Sequence, residues 1–129
     1  MNCTDIFLRV PGGREHVLVI RTVLGSVALL KDFSVDALDD LRDAANEACD
    51  LLLNQGMDVD SFSMRVCDCD GGITITIAAE CKGEGCPMAE EELEICRAVL
   101  ETLIPHVTLE TLPCGCIGQV ALTLPRVAM

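Results

Sequence analysis

Apolar and polar residues alternate near the start of the chain. Ile6, Leu8 and Val10 fall on one side of Phe7 and Arg9, which is the period of a β-strand. Pro11-Gly12-Gly13 ends that pattern. From Arg14 to Lys31 the period changes. Val17, Ile20, Val23, Leu24 and Val27 recur at three- and four-residue steps and predict a helix. This segment is apolar nearly all round, so burial on most sides is expected. Ser34 is a good N-cap for a second helix, predicted over Val35 to Asn54. Ala37 stands where a capping-box Glu would sit, so that device is absent. Gly56 is placed to close the helix in a left-handed conformation. At 100° per residue, Leu38, Leu41, Ala45, Ala48 and Leu52 share one face; Asp36, Asp40, Asp43, Glu47, Asp50 and Asn54 share the other.

Two alternating runs follow. Phe62, Met64 and Val66 form one, Ile73, Ile75 and Ile77 the other, with Asp70-Gly71-Gly72 as the turn between them. After a glycine-containing loop from Cys81 to Pro87, a third helix is predicted from Ala89 to Ile104. Its buried stripe would be Leu93, Cys96, Val99, Leu100 and Leu103. A last hairpin pairs Val107, Leu109 and Thr111 with Val120, Leu122 and Leu124 around Cys114-Gly115-Cys116. The order is β-α-α-β-β-α-β-β. It reads as one α/β domain over residues 1–129, an α+β sandwich whose three helices cover one face of a five-stranded mixed sheet. The crossover from the Ile73 strand through the third helix to the Val107 strand should be right-handed and make those two strands parallel.

Composition narrows the function. Half of the residues are apolar, enough to fold, but there is no Trp or Tyr and only three Phe. With nine Lys plus Arg against 21 Asp plus Glu, the net charge is −12. Nucleic acid is therefore excluded as a partner: no basic face can form to neutralise phosphates, and no aromatic platform can stack bases. No apolar run approaches the roughly 18 residues of a membrane span. Met1-Asn2-Cys3-Thr4-Asp5 lacks the basic-then-apolar order of a signal peptide. A cytoplasmic protein is expected, and with it nine reduced cysteines rather than disulfides.

The element order and the segment from Phe33 to Cys49, closing on Asn46-Glu47-Ala48-Cys49-Asp50-Leu51, resemble the bacterial anti-sigma-factor serine kinases of the histidine-kinase-like (GHKL) ATPase group. Val10-Pro11 and Leu100-Glu101-Thr102-Leu103 add to the resemblance, which covers nearly the whole chain. It implies the histidine-kinase-like ATPase fold. It also implies a helix Glu as general base toward a partner's Ser, an Asn four residues later for magnesium, a strand-end Asp for adenine, and a Gly-rich segment that wraps phosphates.

Position by position, Glu47 stands at the base, Leu51 at the magnesium ligand and Ala79 at the adenine-binding Asp. Leu offers no oxygen to a hard cation, and Ala accepts no hydrogen bond. Glu90-Glu91-Glu92 opens the third helix, where phosphate would otherwise lie and would be repelled. Phosphoryl transfer depends on positioning and charge neutralisation, so a degenerate nucleotide site is expected, with Glu47 a vestigial base or a solvated residue. Asp50, beside Glu47, could lend a metal an oxygen.

The cysteines raise a separate question. Cys67-x-Cys69 and Cys81-x₄-Cys86 lie at opposite ends of a strand, about 25 Å apart at 3.3 Å per residue. If the Ile73 and Val107 strands run parallel, Cys114 and Cys116 fall at the same end as Cys81 and Cys86, and four thiols could meet on one zinc. Free thiols are the other reading. His16 and His106 have no Cys or Asp at motif spacing and are read as structural.

Three functions stay open. The first is an anti-sigma-factor-like regulator that binds a protein, a sigma factor or an antagonist, without kinase activity or cofactor. The second is an active serine kinase using ATP and magnesium. The third is a thiol or zinc module. The resemblance also implies a homodimer.

Overall fold

In the computed structural model, which describes residues 4–69, 72–82 and 85–125, the elements follow in the expected order. They are β1 (Thr4–Pro11), a 3-10 turn (Arg14–His16), α1 (Val17–Leu30), α2 (Val35–Leu53), β2 (Asp58–Cys69), β3 (Gly72–Lys82), α3 (Glu90–Leu103), β4 (His106–Thr111) and β5 (Ile117–Pro125). The Ser34 hydroxyl accepts the Ala37 N–H at 3.1 Å and starts α2, and Gly56 follows its end at φ 75°. The strands are longer than their alternation implied. The expected turn at Asp70-Gly71 lies outside the described residues.

The five strands stand in the order β1-β2-β3-β5-β4. Every ladder is antiparallel, so the sheet is not mixed. The expected parallel course of the Ile73 and Val107 strands is present, but the expected mixed sheet is not. β3 and β4 run the same way, but β5 returns from β4 and inserts between them, pairing Ile75 with Leu122 on one side and Leu109 with Val120 on the other. A parallel neighbour is thereby exchanged for two antiparallel ladders, which bond slightly better per residue.

One face of the sheet carries the core. Phe62, Met64 and Val66 from β2, Ile73, Ile75 and Ile77 from β3, and Val120, Leu122 and Leu124 from β5 pack with Ile20, Leu24 and Val27 of α1 and Leu41, Ala45, Ala48 and Leu52 of α2. The small residues Ala44, Ala45, Ala48 and Cys49 let α2 sit deep, between α1 and α3. Its buried face is wider than the stripe seen in the sequence and takes in Leu51. A salt bridge of 2.6 Å from Lys31 to the buried Asp68 ties the end of α1 to β2.

Two helices differ from expectation. α1 is buried on one side alone: Leu18, Val19, Leu29 and Leu30 face solvent, Leu29 with 69% and Leu30 with 75% of its surface exposed. Helices and sheet form just two layers, so an all-round apolar helix finds no third layer to cover its back. In α3, Leu100 alone of the expected stripe is fully buried. Leu93, Cys96 and Leu103 are half-covered and Val99 is exposed. α3 lies over the short edge strand β4, which offers little sheet to pack on.

The two sides of α1 should respond differently to truncation. Leu24→Ala, at a site with no exposed surface, should cost about 2–5 kcal/mol in denaturant unfolding. Leu29→Ala should stay within about 0.5 kcal/mol. Similar losses for both would place α1 inside a third layer.

Candidate functional site

The positions implied for nucleotide chemistry have different surroundings. Leu51 points into the core, with 2% of its surface exposed. Ala79 packs half-buried against the same core, paired across the ladder with Phe62. Asp50 is held by an ion pair from the Arg14 guanidinium, which also donates to Asn54 at 3.2 Å, so this carboxylate is already engaged. Glu47 remains partly exposed on α2 and faces α3. Burial, then the charges of Glu47 and Glu92, push the Cys96 thiol up. Carboxylates from two helices thus share a neighbourhood where a nucleotide would need positive charge.

Gly85, in the segment before α3, serves packing instead of phosphate. A side chain there would meet the Gln55 carbonyl at 2.3 Å, Met57 at 2.4 Å and the Cys116 sulfur at 3.2 Å. The first turn of α3 holds Glu90, Glu91 and Glu92, which suit the helix dipole and repel an anion. A hollow of about 360 Å³ lies on the opposite, uncovered face of the sheet, lined by Phe7, Ser63, Arg65, Thr76, Ala78 and Gln119.

The second group of expected residues does converge. β3 ends at Cys81-Lys82, and the following segment returns across the end of α2, where the Cys86 N–H donates to the Gln55 carbonyl at 2.8 Å. The turn joining β4 to β5 closes through Gly115 N–H to Leu112 O at 2.9 Å and Leu112 N–H to Cys116 O at 2.7 Å. Gly115, at φ 94°, lies where a side chain would touch Pro87 at 3.1 Å. Residues 85–87 and 114–116 are therefore laid side by side. Cys81 stands at the end of the neighbouring β3, and Cys67 at the far end, opposite Thr74.

Gln55 joins these pieces, and no motif marked it. Its side-chain amide donates to the Ile117 carbonyl at 2.8 Å and accepts the Ile117 N–H at 2.6 Å, with 2% of the residue exposed. It acts as a strand partner for the start of β5. A Gln between a helix end and Gly56 carries no sequence signal for that role.

The thiols differ in exposure. Cys86 and Cys114 are exposed, Cys81 is half-covered, and Cys116 and Cys49 are buried. Burial and Asp50 push Cys49 up to about 12. Burial, a hydrogen bond with Cys114 and the charges of Cys114, Cys86 and Cys81 push Cys116 up. Burial, Asp60, Cys114 and Asp58 do the same for Cys81. Among the described residues, no three Cys, His, Asp or Glu side chains already stand at ligand spacing for a metal ion. His16 lies beside Glu15 at 3.6 Å, and His106 opens β4 in an exposed position.

Gln55→Ala leaves the Ile117 amide and carbonyl buried without partners and should cost about 2–4 kcal/mol. Gln119→Ala, losing an exposed bond to Glu110, should cost less than about 0.5 kcal/mol; equal losses would remove Gln55 from its central place. Raised thiol values mean that the folded chain keeps protons which the unfolded chain releases above pH 9.0. The thiol contribution to stability should be constant below that pH and fall as pH rises toward about 12. The fall should be shallower in Cys49→Ala, as read by urea midpoints across the alkaline range. Searches with protein-family models and against curated proteins found no match for this chain.

Proposed function

We propose that the chain is a cytoplasmic regulatory module that binds a protein partner, in the manner of an anti-sigma factor, without nucleotide chemistry. The observation that carries this reading is the outer face of α1. Leu18 and Leu29 are eleven residues apart, three helical turns, and so lie in one row; Val19 and Leu30 form the next. Between them stand Thr22 and Ser26, small and exposed. Val35 continues the apolar surface into α2 and is 75% exposed. Exposed apolar residues gathered on one helix of a chain of net charge −12 are read as a surface that a partner covers.

Asp32, Asp36 and Asp39 rim that patch and are exposed. The complement is an apolar surface bordered by Arg and Lys, which the acidic rim would steer and orient. By the resemblance of the Phe33–Cys49 segment, that partner is a sigma factor. The degenerate nucleotide positions fit the same reading: a buried Leu51, an Asp50 engaged by Arg14, and Glu47 and Glu92 both acting on Cys96.

Two measurements test the proposal. A thermal melt with about 1 mM Mg-ATP should show no shift. A ligand at 100 times its Kd would add about 2.7 kcal/mol, which is roughly a 10 °C rise for this size; such a rise would restore the serine-kinase reading. Titration against purified sigma factors of the host should give saturable binding. Leu29→Glu with Leu30→Glu should weaken it at least about tenfold, or 1.4 kcal/mol, without lowering the melting temperature. Concentration-dependent dimerisation abolished by the same pair, with no sigma factor bound, would assign the face to a second copy of the chain.

A further inference from the structure

Four of the nine cysteines meet at one corner of the fold, and the Gln55 clamp builds that corner. Gln55 fixes the backbone of Cys86 through its carbonyl and the backbone of Ile117 through its side chain. Cys116 is thereby held next to Cys86 in space, although 30 positions separate them in the chain. The closeness is measurable at the glycines. A side chain on Gly85 would stand 3.2 Å from the Cys116 sulfur, and one on Gly115 would stand 3.1 Å from Pro87. Cys114 and Cys116 sit two residues apart on the turn that the Leu112 N–H closes to the Cys116 carbonyl, with Gly115 between them at φ 94°. Cys81 closes the group from the end of β3: Ala78 pairs with Gln119 of β5, and Cys81 and Cys116 each lie three residues from that pair toward the same end of the ladder.

We infer that Cys81, Cys86, Cys114 and Cys116 form a binding site for a thiophilic divalent cation of the zinc class, which pins the segment before α3 to the turn between β4 and β5.

Three features point to a cation and not to four independent thiols. The sulfurs come from three separate stretches of chain, the arrangement by which structural zinc sites cross-link loops too small to have a core of their own. Asp58 and Asp60 flank Val59, the ladder partner of Cys81, and bring negative charge to the corner. That charge favours a divalent cation there. On binding, four S–H protons pass to solvent as four metal–sulfur bonds form, each about 2.3 Å long for zinc. The two pairs are also unequal. Cys116 has no exposed surface, whereas Cys86, in the segment before α3, and Cys114, on the turn before β5, are exposed. Before loading, the four are neighbours and not a closed shell. Loading therefore requires the exposed Cys86 and Cys114 side chains to turn toward Cys116.

The site does not depend on the protein-binding reading, since the α1 face and this corner share no residue. The test uses the full chain, fully reduced, titrated with zinc chloride against a chromogenic chelator. One zinc per chain is expected, with release of protons and a higher melting temperature. Cobalt(II) in its place should give a thiolate-to-metal charge-transfer band. Cys86→Ser and Cys114→Ser change exposed residues and should fold; each should weaken zinc binding at least about a hundredfold. Cys96→Ser, outside the corner, should bind as the parent does. Absence of stoichiometric zinc from the reduced chain would overturn the site. So would unchanged affinity in both serine variants, or an equal loss in Cys96→Ser.

Discussion

The corner where α2 ends depends on one buried amide. Gln55 follows the last turn of α2 and is sealed from water. Its side chain takes both backbone groups of Ile117, and its own carbonyl takes the N–H of Cys86. A buried amide must satisfy its donors and acceptor or pay a desolvation cost. The segments on either side are therefore not free to drift. Gly85 is required there because any side chain would collide with that same Gln55 carbonyl. Through three hydrogen bonds, α2, the approach to α3 and the start of β5 share one reference point.

The rest of the fold follows from having two layers. The sheet is covered by helices on one side, and α2, lined with Ala44, Ala45 and Ala48, is close to both flanking helices. α1 and α3 then lie at the margins. α1 keeps an apolar row facing outward, and α3 packs over a strand too short to bury its stripe. Exposed apolar surface on a marginal helix is costly unless something covers it, and the acidic residues around Leu29, Leu30 and Val35 give that surface a charge preference as well as a shape.

The same deep seating of α2 sets the surroundings of the residues that nucleotide chemistry would require. The turn of helix that carries Glu47 toward α3 carries Leu51 into the core. Asp50 goes to Arg14, at the 3-10 turn before α1. Position 51 lies in the core beside its helix neighbours Leu52 and Ala48, where Leu suits the packing and supplies no oxygen.

Local pattern determined the elements. Strand alternation, the Ser34 cap, Gly56 and the 3.6-residue periods placed five strands and three helices in order, because backbone preference and the inward–outward alternation of side chains act over a few residues. The common end of Cys81, Cys86, Cys114 and Cys116 was legible too, since strand direction needs no more than the sense of each turn. Tertiary structure decided what lies between the strands and above the helices. The insertion of β5 beside β3, the bare back of α1, the thin cover of α3 and the partners of Asp50 and Gln55 all turn on contacts between residues far apart in the chain. Those contacts are settled by which surfaces compete best for the core, and no short stretch of sequence carries that competition.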